Sequence, residues 1–449
     1  MNSKTLQPAD LKCSLDRFWQ ISEQKMVILN REYDPAQGSP VFTVEGKYST
    51  RGWTEWTQGF QYGSEIMQFD ATGDFQWLET GRKNTVEKMT PHVTHFGVHD
   101  HGFNNVSTYG NLLRLMNEGR ILENEWERNF YEMALKVSGA VQARRWTALP
   151  DGGYIYSFNG PHSLFADTIR SLRALAVAHQ LGHSLMGEND QNVSLLGRLI
   201  DHVKTTSKYA VFYGEGRDAY DVRGRTAHES IFNLNDGAYR CPNSQQGFSP
   251  FTTWTRGLAW IMVGAAEQLE FFQTLKTSEL EPFGGRNAVE AALLKMAKAT
   301  CDFYIENSAA DGIPYWDTGA SNLWKLGEDY LDKPADPFND AEPVDSSAAA
   351  IAAQGLIRLG NHLNDDRYLQ AGLTVLQTLL EEPYLSTDET HQGLLLHSVY
   401  HQPNGWDHIP DGQSVPCGES SMWGDYHLRE AALLVQRMAD KKPYYKFYM

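Results

Sequence analysis

The chain has 449 residues and a formal net charge of −17 at pH 7. Hydrophobic residues make up 41% of it and charged residues 21%, a mix that excludes wholesale disorder. The negative charge argues against non-specific binding to nucleic acid or to an anionic membrane, although a small anionic ligand can bind where basic residues gather. No run reaches the roughly 18 apolar residues of a bilayer span, and the first residues lack the apolar core of a signal peptide. We therefore expect a cytoplasmic protein.

Apolar residues recur at helical spacing along almost the whole chain. Strand-like alternation is scarce and limited to short pieces such as residues 41–44, which argues against a parallel α/β sheet. The pattern predicts twelve helices, at residues 5–29, 56–71, 74–90, 104–118, 123–145, 164–182, 190–211, 253–277, 287–308, 345–361, 365–383 and 419–439.

The predicted helices are of two kinds. Segment 123–145 carries one apolar stripe, which we expect to face the core; its residues are Trp126, Phe130, Met133, Val137 and Val141. Segments 256–266 and 345–361 are apolar or small nearly all round, which is typical of helices covered on every side. An inner ring of six helices inside an outer ring of six, an all-α (α/α)6 barrel, satisfies this alternation. A helical solenoid is the alternative, but the chain shows no repeat of fixed length.

Clusters of polar and aromatic residues precede or open each helix predicted for the inner ring. They lie at residues 53–60, 99–105, 165–168, 245–256, 345–347 and 419–425. If the inner helices run parallel, their N-termini share one mouth of the barrel, where backbone N–H groups and helix dipoles favour an anionic ligand. Five tryptophans would supply flat walls for stacking against a sugar ring: Trp53, Trp56, Trp254, Trp260 and Trp423.

Some acidic residues in these clusters also have a structural interpretation. Asp167 and Asp345 each stand just before a predicted helix, the usual place for a helix N-cap. Asp100 is less easily explained in this way, because Gly102 indicates a tight turn. Arg256 opens a helix predicted to be buried, so its charge must be paired or must face a ligand.

Four histidines within ten residues raise the question of metal binding: His92, His95, His99 and His101. Their spacing matches no H-E-x-x-H pattern, and the four cysteines form no C-x-x-C pair. We therefore expect neither a metal nor another cofactor.

Eight short strings follow one another, in the order of a known family, between about residues 53 and 430. They are Trp56–Phe60, His99–Phe103, Asp167–Thr168, Gln246–Phe248, Trp254–Trp260, Pro314–Asp317, Asp345–Ala353 and Trp423–Tyr426. In this ordered set the chain resembles the unsaturated glucuronyl hydrolases of glycoside hydrolase family 88, and next to them the unsaturated rhamnogalacturonyl hydrolases. The (α/α)6 barrel of that family agrees with the helix pattern, and the resemblance implies one catalytic domain over residues 1–449.

The resemblance implies an unusual hydrolysis. The substrate is the sugar that polysaccharide lyases leave at a non-reducing end, with a carboxylate on C5 and a double bond between C4 and C5. A carboxylic acid protonates C4, water adds at C5, and the resulting hemiketal opens and releases the aglycone. Such general acid–base work suits a carboxyl group held protonated by burial or by a like-charged neighbour. Because the anomeric carbon is not attacked, carboxylate separation does not distinguish retention from inversion here.

The resemblance also assigns roles by position in the motifs. Asp167 would be the acid that then activates water, and Asp100 the second carboxylate, which tunes Asp167 and holds the ring. The partner would be a small anionic oligosaccharide, bound by Trp56, His99, His228, Gln246, Arg256 and Trp260.

The chain also departs from the family pattern. Leu258 replaces a glutamine, and a tryptophan that the family places before its acid has no clear counterpart, for which Tyr154 and Tyr156 are candidates. Residues 212–244 form a long insertion with several arginines. These departures concern substrate details rather than the fold.

Three other functions are compatible with such a barrel. An ordinary β-glucuronidase would attack the anomeric carbon. A sugar epimerase or isomerase would move a proton with a histidine pair, which the group at residues 92–101 could supply. A sugar-binding protein without catalysis would bind the same ligand and turn nothing over.

Overall fold

A computed structural model describes residues 5–52 and 55–448 of the chain. Trp53, predicted as a stacking residue, lies outside these residues. Twelve principal helical segments occur in the described part: α1 (Lys12–Glu32), α2 (Gln58–Thr72), α3 (Phe75–Lys88), α4 (residues 101–117), α5 (Glu125–Arg144), α6 (residues 168–180), α7 (Leu195–Tyr209), α8 (Thr255–Thr274), α9 (Gly285–Glu306), α10 (Ser346–Leu363), α11 (Asp366–Leu379) and α12 (Met422–Ala439). In α4, residues Val106–Gly110 form a π-helical turn, and shorter helical turns lie at Thr90–Val93 and Thr277–Leu280.

The helices form two concentric rings. The inner ring closes in the order α2, α4, α6, α8, α10, α12 and back to α2, because each of these helices packs on the next. The other six helices alternate with them in sequence and cover them from outside. Helix α10 is buried from Ser346 to Gly360, whereas α7 buries one face only, as the apolar patterns of both segments predict. The chain is an (α/α)6 barrel, and the fold predicted from sequence is confirmed.

The orientation predicted for the apolar stripe of α5 is wrong for Trp126, Phe130 and Met133, whereas Val137 packs partly against the core. Trp126 is 86% exposed, Met133 65% and Phe130 42%, and all three lie on the outside of the barrel. The buried face of α5 carries smaller residues such as Gly139, where a Cβ would meet the Cβ of Ala178 at 2.5 Å. Close approach of two backbones therefore decides which face is buried, and the apolar pattern does not reveal it.

Short antiparallel strands occupy the connections between helices. They are β1 (Pro40–Val44), β2 (Lys47–Thr50), β3 (Trp146–Leu149), β4 (Gly152–Ile155), β5 (Ser163–Phe165), β6 (Leu185–Met186), β7 (Asn192–Val193), β8 (Glu229–Phe232) and β9 (Tyr239–Asn243). β1 pairs with β2, β3 with β4 and β6 with β7, while β5, β8 and β9 form a three-stranded sheet. The insertion at residues 212–244 thus contributes β8 and β9, and it fixes the end of β5 immediately before α6.

Paired charged side chains fill the barrel lumen, below the end of the barrel where the inner helices begin. A buried charge cluster contains Arg170, Arg173, Glu267 and Glu430. The Glu430 carboxylate forms ion pairs with Arg170 at 2.8 Å and with Arg173 at 3.3 Å, and Arg170 also forms an ion pair with Glu267. Residues 444–448 enter from the opposite end, where the hydroxyl of Tyr445 lies 3.3 Å from the Glu430 carboxylate. Among the described residues, none of the helices combines the length and apolarity required to cross a bilayer.

Candidate active site

The end of the barrel where the inner helices begin contains a cavity of about 520 Å³. Its wall is built by residues that precede or open α2, α4, α6 and α8, together with two loops. All eight predicted site residues line this cavity: Trp56, His99, Asp100, Asp167, His228, Gln246, Arg256 and Trp260. The structure brings them together in one place, and their individual roles stay predictions.

His99 and Asp100 precede α4 on a segment that is tied to α6. A Cβ at Gly102 would lie 2.2 Å from the carbonyl oxygen of Ser171, so only glycine permits this approach. The Gly102 N–H donates to Ser171 Oγ at 2.9 Å, and that hydroxyl donates to the His99 carbonyl at 2.6 Å. Gln142 donates to the same carbonyl at 3.0 Å. These bonds fix the His99–Asp100 segment against the helix that follows Asp167.

Asp167 reaches the cavity because β5 ends just before it. Phe165 lies opposite Glu229 in the β5–β8 pair, and the N–H of Ala166 donates to the carbonyl of His228 at 2.9 Å. This register places His228 beside Asp167. Asp167 stands at the N-cap position of α6, but its carboxylate accepts no bond from the first turn. The capping interpretation of this residue is therefore wrong, and the carboxylate is available to bond with other groups at the cavity.

His99 joins the two buried carboxylates. Its Nε2 lies 2.7 Å from Asp167 Oδ2 and 4.0 Å from Asp100 Oδ1. Within the described residues, Asp167 Oδ1 and His99 Nδ1 have no hydrogen-bond partner. No lysine or arginine nitrogen of the described residues lies within 4.0 Å of the Asp100 carboxylate. Two acids and one histidine therefore share a buried site with unused hydrogen-bonding capacity.

The electrostatics of this cluster separate the two acids. Burial is the largest influence on the pKa of Asp100 and raises it; His99 opposes that shift and Asp167 adds to it. Burial also favours a higher pKa for Asp167, but the charge and hydrogen bond of His99, helped by His228, lower it below its usual value. Burial opposes a charge on His99, yet Asp100 and Asp167 raise the pKa of His99. These shifts thus favour the charged forms of His99 and Asp167 and disfavour the charged form of Asp100.

His228 presents one free ring nitrogen. Its Nδ1 accepts the backbone N–H groups of Gln245 at 3.0 Å and Gln246 at 3.2 Å, which places the proton of the neutral ring on Nε2. Burial lowers the pKa of His228 to about 4, so the ring is neutral at pH 7. Its Nε2 has no partner among the described residues and is a donor available to a ligand.

Arg256 is paired with protein acceptors rather than left free. Its Nη1 contacts Asp345 Oδ2 at 2.9 Å and the carbonyl of Val399, and its Nη2 contacts the carbonyl of Tyr400 and Gln246 Oε1, both at 2.8 Å. The other Asp345 oxygen accepts backbone N–H groups from the first turn of α10. The N-cap prediction for Asp345 is confirmed. Because Arg256 binds the oxygen of the Gln246 amide, the amide nitrogen is left as a donor.

Aromatic rings form much of the cavity wall. Trp56, Trp254 and Trp260 line it, as predicted. Trp423 is not among the lining residues; it is fully buried and stacks behind Trp56 with ring centroids 5.1 Å apart. Neither Tyr154 nor Tyr156 lines the cavity. The aromatic residues that precede the acid there are Phe158, whose ring lies parallel to His99 at 6.4 Å, and Phe165, whose edge meets His99 at 5.8 Å.

One loop of the site was missed by the sequence analysis. Residues 400–406 supply the lining residues Tyr400, His401, Asn404 and Trp406. The buried Asp407 carboxylate holds this loop by accepting the N–H of Tyr400 and, at 2.9 Å, that of His401. The loop ends well before α12, so a search confined to helix N-termini cannot find it. The sequence did contain a signal, because four residues between 400 and 406 carry tyrosine, tryptophan or amide side chains.

Arg51 and Glu55 complete the rim and were also missed. The Arg51 guanidinium lies 3.9 Å from the ring centroid of Trp406. Burial raises the pKa of Glu55 to about 7, an effect to which Asp100 adds and which Arg51 opposes. The cavity therefore contains three acids, of which two have raised pKa values.

The histidine group at residues 92–101 does not converge. His92 Nε2 lies 2.7 Å from Gln58 Oε1, and the two ring nitrogens of His101 contact Ser138 and the carbonyl of His95. In the described residues, the group with metal-ligand geometry is His99, Asp100 and Asp167, whose ligand atoms lie within 4.8 Å of one another. The bond between His99 and Asp167 already occupies one such atom of each. That no metal is needed stays a prediction.

Comparisons with known proteins agree on one group of enzymes. No protein-family model matches the chain. It is 26% identical over 387 residues to an unsaturated glucuronyl hydrolase of Formosa agariphila, covering 84% of this chain and 79% of that protein. It is 24% identical over 439 residues to an unsaturated chondroitin disaccharide hydrolase of Streptococcus pyogenes, covering 94% of this chain and 90% of the relative.

A solved structure gives the same result for the fold. The unsaturated glucuronyl hydrolase of Bacillus sp. GL1 superposes with a TM-score of 0.70 at 22% identity, covering 96% of this chain and 99% of that one. Over most of its length the chain is thus similar to unsaturated glucuronyl hydrolases in sequence and in fold, and the resemblance indicated by the eight strings is confirmed.

Proposed function

We propose that the protein is a glycoside hydrolase of the family 88 type, which removes a 4,5-unsaturated uronic acid from the non-reducing end of lyase-derived oligosaccharides. The observation that supports this best is the buried cluster at the cavity: Asp167 has an unpartnered Oδ1 and shares a 2.7 Å hydrogen bond with His99 Nε2, and Asp100 Oδ1 lies 4.0 Å from the same nitrogen. The names of the relatives, which include a chondroitin disaccharide hydrolase, agree with such a substrate.

The His99–Asp167 pair holds the proton that the reaction needs. In the free protein this proton lies on His99, because each partner favours the charged form of the other. A uronate bound nearby adds negative charge and raises the proton affinity of Asp167. The proton then moves along the hydrogen bond to the carboxylate, without any exchange with solvent.

The chemistry follows with atoms and charges balanced. Asp167 gives its proton to C4, the π electrons form the new C–H bond, and the positive charge is shared by C5 and the ring oxygen. Water adds its oxygen to C5 and returns a proton to Asp167. The hemiketal opens to a ketone at C5, and the hemiacetal left at C1 breaks down to an aldehyde and the free aglycone. One water molecule is consumed.

The other residues bind and orient the sugar in this proposal. His228 Nε2 and the Gln246 amide nitrogen donate to ring hydroxyls, and Trp56 and Trp260 provide flat apolar surfaces. Arg256 positions Gln246 and the loop at residues 399–400 and acts on the sugar mainly through them. Asp100, whose charged form is disfavoured by burial, holds a hydroxyl of the ring. The ligand is a small anionic oligosaccharide, and the single catalytic domain and the cytoplasmic location stay predictions from the sequence.

The test is turnover of an unsaturated disaccharide made by a polysaccharide lyase. We expect the ultraviolet absorbance of the conjugated enol acid to disappear with the wild-type protein. Asp167→Asn should slow this by about 10²- to 10⁴-fold, the usual cost of removing a general acid–base. Asp201→Asn, on the outer helix α7, is the matched control and should keep full activity.

The alternatives predict different results. Release of saturated glucuronic acid, with no loss of absorbance from any unsaturated substrate, would identify an ordinary β-glucuronidase. A histidine-driven epimerase would tolerate Asp167→Asn and would change the configuration of a sugar without cleaving it. Tight binding with no turnover on any uronic-acid oligosaccharide would indicate a binding protein.

A further inference from the structure

Glu229 is a buried carboxylate behind one wall of the cavity. It follows His228 and opens β8, it is 1% exposed, and it forms no ion pair with another described residue. A buried charge without a cation costs free energy unless hydrogen bonds replace the water that it loses. Glu229 is not among the residues that line the cavity. Direct contact with a ligand therefore does not explain why this charge is buried.

Four side chains surround this carboxylate, and all of them present donors to it. Asn159 Nδ2 contacts Oε1 at 3.0 Å, and Ser163 Oγ contacts the same oxygen. Asn243 Nδ2 and Gln245 Nε2 contact Oε2, at 2.6 Å and 3.4 Å. An ionised carboxylate accepts at both oxygens, whereas a glutamine in its place would turn an NH₂ group toward other donors. This set of partners therefore requires a carboxylate and favours its charged form.

The bonds to Oε1 fix the loop that carries Phe158. In this loop the Ser157 N–H donates to the Ser163 carbonyl at 2.9 Å, and the hydroxyls of the two serines lie 2.6 Å apart. Phe158 lines the cavity and is 57% exposed, so packing alone holds its ring weakly. Because Asn159 follows Phe158 directly and Ser163 closes the loop, the Glu229 carboxylate determines where this ring lies.

The bonds to Oε2 fix the segment that carries Gln245 and Gln246. Asn243 ends β9, and Gln245 lines the cavity two residues later. The backbone N–H groups of Gln245 and Gln246 donate to His228 Nδ1, so this segment also orients the His228 ring. One carboxylate thus joins two separate parts of the same cavity wall.

The charge of Glu229 has little direct effect on the chemistry. Burial lowers the pKa of His228 to about 4, and Asp167 and Glu229 oppose this shift. Without the Glu229 charge this pKa would be lower still, so the His228 ring is neutral at pH 7 in either case. Asp167 is held beside His228 by the backbone bond from Ala166, which does not involve the Glu229 side chain. Loss of Glu229 therefore changes the shape of the wall and leaves proton transfer intact.

We propose that Glu229 is a positioning residue for substrate binding, which holds Phe158 and Gln245 in place on one wall of the cavity. This role rests on the proposed function, because it concerns the same oligosaccharide. The Phe158 ring suits the apolar face of a sugar, and the Gln245 amide oxygen, whose nitrogen is bound to Glu229, suits a hydroxyl. A displaced wall weakens binding of the ground state and of the transition state alike, which raises KM and leaves kcat nearly unchanged.

The experiment measures kcat and KM for the unsaturated disaccharide with Glu229→Gln. We expect KM to rise about tenfold and kcat to stay within about threefold of wild type. Circular dichroism shows whether each variant is folded at the assay temperature.

Glu65→Gln is the matched control. Glu65 is also 1% exposed and accepts two amide NH₂ groups, from Asn30 at 2.9 Å and from Asn84 at 3.0 Å. It lies on α2 and does not line the cavity. Its replacement should lower the free energy of unfolding without raising KM.

A double-mutant cycle tests whether Glu229 acts through Phe158. In a Phe158→Ala background, Glu229→Gln should raise KM less than about threefold, because the ring that it positions is gone. Asn159→Ala removes a single donor and should raise KM about two- to fourfold. This variant tests the same role if Glu229→Gln does not fold.

The outcomes separate this role from the proposed function. Unchanged KM values for Glu229→Gln and Asn159→Ala, with an active wild-type protein, would overturn the role and leave the proposed function intact. Equal KM increases from Glu229→Gln in both backgrounds, or the same increase from Glu65→Gln, would also overturn it. No turnover by the wild-type protein would overturn both.

Discussion

The cavity and the lumen beneath it both bury acidic side chains, but they shift the pKa values of these side chains in opposite directions. In the lumen Glu430 contacts two arginines, and their charges outweigh the effect of its burial and lower its pKa. In the cavity Asp100 is just as buried and has no arginine partner within ion-pair distance among the described residues, and burial raises its pKa. A carboxyl group thus has its pKa lowered by its partners in the lumen, and raised by burial at Asp100 in the cavity.

This contrast separates structural from functional burial. A buried charge without a partner is costly, and proteins pair such groups unless the group serves a ligand. The lumen follows that rule for its charges, since Arg170, Arg173, Glu267 and Glu430 form ion pairs that link α6, α8 and α12, even though Arg170 Nε and Glu267 Oε1 have no hydrogen-bond partner among the described residues. The cavity departs from it at Asp100, which has no lysine or arginine partner among the described residues, and it also leaves Asp167 Oδ1 and His228 Nε2 without partners there. The following four changes test this contrast, in order of decreasing effect.

Asp100→Asn should reduce activity strongly without loss of stability. We expect turnover of the unsaturated disaccharide to fall by about 10²- to 10⁴-fold, because an amide, unlike a carboxyl group, cannot take up or release a proton within the cluster. The free energy of unfolding should be unchanged or slightly higher, because a poorly paired buried acid is removed. Urea unfolding and the absorbance assay measure the two effects; a clear loss of stability would mean that Asp100 is structural.

Glu430→Gln should reduce stability and leave turnover nearly unchanged, the reverse of the result expected for Asp100→Asn. It leaves Arg170 and Arg173 buried without their carboxylate, and breaking such a pair typically costs about 3–5 kcal/mol in the free energy of unfolding. Turnover per folded molecule should stay within a fewfold of wild type at a temperature where the variant is folded. Glu381→Gln, which removes an exposed partner of Arg17, is the control and should leave both quantities unchanged.

His99→Gln should give a pH-dependent loss of stability of about 1.5–3 kcal/mol, the range for hydrogen bonds to charged groups. Because the pKa of His99 is raised in the folded state, its stabilisation is complete below its ordinary value of 6.5 and disappears as the pH rises through the folded value. The gap between wild type and variant, measured by urea unfolding from pH 6 to 9, should therefore shrink with increasing pH. A gap that is constant or widens would contradict the ion pair with Asp167.

Trp406→Ala should have the smallest effect. Arg51 lies over this ring at the rim of the cavity, and an exposed cation–π contact contributes about 0.5–1 kcal/mol. We expect KM for the disaccharide to rise about two- to fivefold with kcat nearly unchanged, because in the proposed binding mode the rim contacts the aglycone and not the reacting carbons. Trp324→Ala serves as the comparison, and a fall in kcat for Trp406→Ala would place this residue closer to the chemistry.

The fold was predictable because helical periodicity is local and strong. All twelve predicted segments correspond to helices, and the wholly apolar ones form the inner ring. The side of α5 that faces the core was not predictable, since the choice depends on how closely Gly139 can approach Ala178, a distance between residues far apart in sequence.

The site was predictable in position and less so in detail. Asp167 and Asp345 have the same N-cap signature, yet only Asp345 caps its helix; the difference arises from His99, which attracts one carboxylate, and Arg256, which holds the other. The loop at residues 400–406 joins the site because Arg256 donates to the carbonyl of Tyr400, 144 residues further along the chain. Such long-range pairings leave no periodic trace in a sequence.

The filled lumen has a consequence for the order of events during turnover. Within the described residues, residues 444–448 and the charge cluster block the far end of the barrel, so a ligand reaches the site from the end where the inner helices begin. In the proposed reaction the terminal sugar must enter first and lie deepest, with the rest of the oligosaccharide behind it. The leaving fragment therefore departs before the keto acid, and the monosaccharide product, last to leave, occupies the very pocket that the next chain end requires.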